Sequence, residues 1–215
     1  MGKIINKHKI LWAKKEFVWA TISSLTLFAL SLVATYYGNY YASLSAGAPV
    51  RDIILDNLPP MNMNFIFVYG ASIFLFFVLG IIIFYKPESI PFVIKTSALF
   101  IIIRSIFITL THFGPPNGMS YIDPNSILYK FSSGDDLFFS GHTGFPFLMA
   151  LIFWDNKYLR YIFLAAMAVA AAAVLLGHLH YSIDVLSAPF ITFGIFAIAK
   201  WAFAKDYNFF SENPV

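Results

Sequence analysis

Long apolar runs separated by short polar turns constrain this chain more than any other feature. A helix needs roughly 20 mostly apolar residues to cross the hydrocarbon core of a bilayer. Six stretches qualify: Phe17–Tyr37, Asn64–Tyr85, Ile90–His112, Leu137–Trp154, Tyr161–Gly177 and Ile183–Phe203. The fourth and fifth are short, as spans are when their ends dip into a polar cavity. Only 12% of the residues are charged and 59% are hydrophobic, whereas soluble domains carry about a quarter charged residues. So little polar surface cannot cover a water-facing core. The fold expected is an all-α integral membrane protein, a bundle of six transmembrane helices. A basic N-terminus (1–16), a membrane domain (17–203) and a cytoplasmic tail (204–215) divide the chain, with no internal repeat. The 25 phenylalanines and 12 tyrosines suit aromatic belts at the membrane surfaces.

Charge placement orients the bundle. With the N-terminus inside, Lys3, Lys7, Lys9, Lys14, Lys15, Lys86, Lys157, Arg160, Lys200 and Lys205 fall on the cytoplasmic side. Arg51 and Lys130 fall opposite, and Lys95 and Arg104 lie within the third span. This positive-inside bias puts both termini in the cytoplasm. The first apolar run exceeds the 7–15 residues of a typical signal core, so it reads as a retained span. The chain has no cysteine, which excludes disulfides and thiolate metal sites. No basic stripe or stacking motif supports nucleic-acid binding. Self-association stays open.

The stretch "LFFSGHTGFPFLMALIFW" then raises a question, because it carries His142 near its outer end. His180 follows 38 positions later, about the length of two short spans and a turn at 1.5 Å per residue. Both imidazoles therefore return to the same face. The alanine run at Ala165–Ala173 would let neighbouring helices approach closely. Asp184 follows His180 by four, which on a helix places the pair on one face. A carboxylate on one ring nitrogen fixes the tautomer and leaves the other free to attack or take a proton. Ionisable groups inside a membrane are costly and usually mark function. Each feature also has a plainer reading: an interfacial histidine, or a structural His–Asp pair.

Two functional classes fit facing histidines. Haem would use the pair alone, and zinc would add Asp184 with His178 as a third ligand. Covalent phosphoryl transfer needs a nucleophile, its orienter, an acid for the leaving group and donors for the phosphoryl oxygens. The chain supplies all four and requires no cofactor or metal for them.

"SGHT" at Ser140–Thr143, with "HYSIDV" at His180–Val185, resembles the lipid phosphate phosphatase superfamily, that of the type 2 phosphatidic acid phosphatases. "PVRDIILDNLP" at Pro49–Pro59 and "RSIFITLTHFGPP" at Arg104–Pro116 are similar to motifs of its sphingomyelin-synthase branch. The resemblance implies six spans and an active site facing away from the cytoplasm. It also implies His180 as the nucleophile forming a phosphohistidine, Asp184 as its orienter and His142 as the acid. The donor would be a glycerophospholipid or lipid phosphate, and the acceptor a lipid alcohol or water. Lys95 and Arg104 are nine apart with no proline following, unlike the Lys–x6–Arg–Pro of the ordinary phosphatases. Ser133, Gly134, Asp135 and Asp136 stand where the synthase branch has Cys-Gly-Asp, and the tyrosine expected after "HYSIDV" is absent around Pro189.

Other candidates follow from chemistry. Arg104 has a planar fork suited to phosphate, though a snorkelling arginine is the alternative. The Ser140 hydroxyl with the Gly141 and His142 N–H groups at a helix start would cradle phosphate. Asp135 and Asp136 read as a helix N-cap pair or as contacts to a headgroup. His112 and His178 read as solvent-facing interfacial histidines, and Arg51 pairs with Asp52 at the mouth. Phe138, Phe139 and Phe145 would wall an apolar outer cavity that excludes water.

Overall fold

The computed structural model describes residues 2–119 and 137–211, and among these it is helical with no strand. The helices are α1 (Gly2–Trp12), α2 (Lys15–Ser45), α3 (Ala71–Gly80), α4 (Ile90–Leu110), α5 (Gly141–Ile152), α6 (Lys157–Leu176), α7 (Ser182–Ala202) and α8 (Ala204–Ser211). Five-residue π-helical turns, Ile66–Gly70 and Ile81–Tyr85, extend α3 at both ends.

Five segments are long and apolar enough to cross a membrane: Lys15–Ser45, Ile66–Tyr85, Pro87–Leu110, Lys157–Leu176 and Ser182–Ala202. The fourth expected span differs. It forms only the twelve-residue α5, about 18 Å long against a hydrocarbon core of about 30 Å. The cause is local. Phe138 takes a left-handed φ of 77°, a conformation bulky residues avoid, and Ser140 then caps the new helix by accepting from the Thr143 N–H at 3.3 Å. The helix therefore starts at Gly141, four residues late, and leaves the "SGH" backbone in its first turn.

α2 lies along α4 through a seam of small buried residues, Thr21, Ser24, Ser31, Gly38 and Ala42. A Cβ at Gly38 would sit 3.4 Å from the Ser105 side chain, ordinary contact distance, so the two helices already lie close at this point. Such seams replace the hydrophobic effect in lipid, where apolar side chains gain little by meeting. α6 lies along α5; of its alanines Ala173 is buried, Ala166, Ala170 and Ala171 are half-buried, and Ala165, Ala168 and Ala172 are exposed.

At the far end from the "SGH" turn, both terminal stretches dock as helices. Lys7 of α1 pairs with the buried Glu88 at 2.8 Å, and the His8 ring bonds the Ile83 carbonyl at 2.7 Å. Lys95, inside the third span, meets Asp206 of α8 at 2.6 Å. A cation at that depth needs such a partner.

Candidate active site

The site is built where the α6–α7 turn meets the start of α5. α6 stops at Leu176, and His178 takes a left-handed φ of 50°, which reverses the chain. Tyr181 is extended and α7 begins at Ser182. Asp184, in the first turn, reaches back with Oδ2 to the Tyr181 N–H at 3.1 Å. The same oxygen lies 3.2 Å from His180 Nδ1. His180 thus precedes the helix, and the pair forms through a capping carboxylate rather than across one helix face. A carboxylate facing Nδ1 favours the tautomer with the proton on that nitrogen, which leaves the Nε2 lone pair free. Both side chains are buried, His180 at 3% and Asp184 at 0% exposure. Asp184 Oδ1 is also buried, with no hydrogen-bond partner among the described residues.

One backbone bond joins the two motifs: Ser140 N–H donates to the Asp184 carbonyl at 3.0 Å. It fixes the first turn of α5, with Gly141 and His142, against the first turn of α7. First-turn N–H groups have no acceptor four residues back, and the helix dipole adds positive potential there. Arg104 Nε donates to the Phe139 carbonyl at 3.2 Å. A Cβ at Gly141 would lie 3.1 Å from that same Nε, so the glycine lets the guanidinium lie against the helix start. His142 stacks on Phe67, ring centroids 4.0 Å apart and planes 25° apart.

Six of the seven expected site residues, Arg104, Ser140, Gly141, His142, His180 and Asp184, are therefore tied into one neighbourhood. Asp136, like Asp135, lies outside the described residues. Ser140 is wholly buried and its Oγ accepts from both Thr143 N and Thr143 Oγ1, so capping is its visible duty. Phe138, Phe139 and Phe145 pack against Phe74, Phe100 and Phe107. They build core, and the ring that walls His142 is Phe67.

Two loops, 46–63 and 111–119, are strapped over the His180 turn. Tyr181 Oη donates to the Gly114 carbonyl at 2.8 Å and accepts from Val50 N–H at 3.0 Å. Asp52 Oδ2 accepts from Ser182 N–H at 2.7 Å, and its Oδ1 accepts from Ile54 and Leu55. Arg51 pairs with Asp56 instead, at 3.1 Å, because Asp52 is already committed to the α7 start. His178 is buried rather than solvent-facing: Nδ1 meets the Asn117 carbonyl at 2.8 Å and Nε2 the Leu58 carbonyl at 2.9 Å. Both nitrogens face backbone oxygens, which removes His178 as a zinc ligand. His112 is exposed and edges Tyr41.

Two stability predictions follow from the strap. Tyr181→Phe removes one hydroxyl and leaves the buried Gly114 carbonyl and the half-buried Val50 N–H without it, which costs about 1–3 kcal/mol; thermal unfolding in detergent measures it. At Asp52, burial pushes the carboxyl up, but the Ser182 N–H and hydroxyl with the Leu55 and Ile54 N–H groups outweigh it and hold it below 3.8. A depressed folded pKa stabilises above the unfolded value and loses that stabilisation as pH falls through the folded one. The stability advantage of wild type over Asp52→Asn should therefore be constant near pH 6 and shrink below about pH 4.

The family model for the PAP2 superfamily C-terminal region matches residues 134–201. No curated protein and no solved structure matches the chain. The matched stretch contains Ser140, Gly141, His142, His180 and Asp184. It supports placing the chain in the type 2 phosphatidic acid phosphatase superfamily, through the part that carries both histidines.

Proposed function

We propose that the protein moves a phospho-headgroup between membrane lipids through a phosphohistidine on His180, in the manner of a sphingomyelin synthase. The observation that carries this reading is the buried His180–Asp184 pair, joined through Nδ1 and pinned by Ser140 to the helix start bearing His142. His180 Nε2 attacks the phosphorus of the donor lipid, a P–N bond forms and the P–O bond to the diacylglycerol moiety breaks. Protonated His142 gives its proton to the departing oxygen. The ring of His180 is now cationic, and Asp184, which holds Nδ1–H, stabilises it. The acceptor hydroxyl then attacks phosphorus, neutral His142 takes its proton, and the P–N electron pair returns to Nε2. Arg104 with the Gly141 and His142 N–H groups would hold the phosphoryl oxygens, and Asp136 would meet the headgroup or acceptor.

A lipid hydroxyl is favoured as acceptor because the strapped loops bury His180, and exclusion of water protects a reactive intermediate. The superfamily match favours the second reading, a phosphatidic acid phosphatase in which water is the acceptor. Purified protein in liposomes decides between them. Phosphatidic acid, phosphatidylcholine or phosphatidylethanolamine is offered as donor, with and without ceramide or diacylglycerol. Headgroup exchange supports transfer; phosphate release from phosphatidic acid without exchange under any acceptor overturns it.

The same reading puts the site on the non-cytoplasmic face. In this cysteine-free chain, Asn57→Cys should react with an impermeant thiol reagent from outside, and Lys157→Cys should be protected. The reverse pattern overturns the orientation.

A further inference from the structure

Phe67 touches both halves of the site. Its ring is stacked on His142 at 4.0 Å, and it packs in one buried cluster with Val174, Leu179 and Val185. Leu179 immediately precedes His180, and Val185 immediately follows Asp184. Phe67 sits on the π-helical turn Ile66–Gly70. Such a turn inserts an extra residue into the helix, and it is frequent at functional sites. Here it brings a large ring, only 6% exposed, from the second span into the space beside the histidine.

We propose that Phe67 is a positioning residue for His142: its face fixes the plane of the imidazole so that the ring N–H points at the leaving oxygen. This rests on His142 being the acid of the proposed reaction. A histidine in the first turn of a helix can swing about its χ2 torsion, whose preferences are broad. A parallel aromatic face removes that freedom and attracts the protonated ring through its quadrupole. Substrate affinity is not involved, so the effect belongs in kcat.

The test compares lipid phosphoesters, whose alkoxide leaving groups need a proton, with p-nitrophenyl phosphoesters, which do not. Phe67→Leu should lower kcat for the lipid substrate by about threefold to thirtyfold, with KM unchanged and p-nitrophenyl turnover retained. Phe67→Tyr, which keeps the face, should restore the ratio between the two substrates. In a His142→Ala background Phe67→Leu should have no further effect. If Phe67→Leu fails to fold, Phe67→Met, a flexible filler of the same space, carries the same expectations. Equal losses for both leaving groups, or losses that persist without His142, overturn the proposal alone. An unselective loss in His142→Ala itself overturns the acid assignment and this proposal with it.

Discussion

His180→Ala should abolish turnover, with a loss on the order of 10⁴-fold or more for every substrate, because the proposed reaction runs through a covalent bond to its Nε2. The geometry makes this specific. His180 is the histidine whose Nδ1 faces a buried carboxylate, an arrangement that favours the tautomer with the Nε2 lone pair free. The loss should be indifferent to the leaving group, since without a nucleophile neither good nor poor leaving groups depart. Folding should survive, because the turn is held by Tyr181, Asp52 and His178 rather than by the His180 ring. Substrate turnover and thermal unfolding measured on the same preparation check both halves. Retained turnover in a folded His180→Ala protein would remove it from the chemistry.

His142→Ala should produce the second largest loss, and a selective one. A general acid is worth about 10²–10⁴-fold when the leaving oxygen needs its proton, and little when it does not. Lipid phosphoesters should therefore lose activity by that factor while p-nitrophenyl esters lose far less. The selectivity distinguishes an acid from a residue that merely shapes the site, which would slow both alike. Equal losses would reassign His142.

The apolar architecture was legible because membrane spans obey a length rule that composition reveals directly. The short α5 was not, since its start depends on Phe138 taking a left-handed φ and on the Ser140 cap. In the sequence α1 and α8 are only a basic stretch and a tail; their docking needs Glu88 and Asp206 to meet Lys7 and Lys95, and Asp206 is 111 residues from Lys95. The His180–Asp184 spacing pointed to the right pair for an incomplete reason, because i, i+4 also suits a capping carboxylate just inside a helix. The roles of Asp52, Tyr181 and His178 are set by contacts that the local sequence does not show. Their partners lie 61 to 131 residues away for the loop contacts quoted above, and no local pattern encodes such distances. Phe67 was hidden among 25 phenylalanines until the π turn placed it on His142.

The measurement closest to the central claim is capture of the covalent intermediate. Protein quenched during turnover of a lipid phosphoester labelled in phosphorus should carry a base-stable, acid-labile label, the behaviour of a P–N bond, and fragmentation should place it on the peptide containing His180. His180→Ala should carry none. Label of equal amount in His180→Ala, or an acid-stable label on Ser140, would contradict the account.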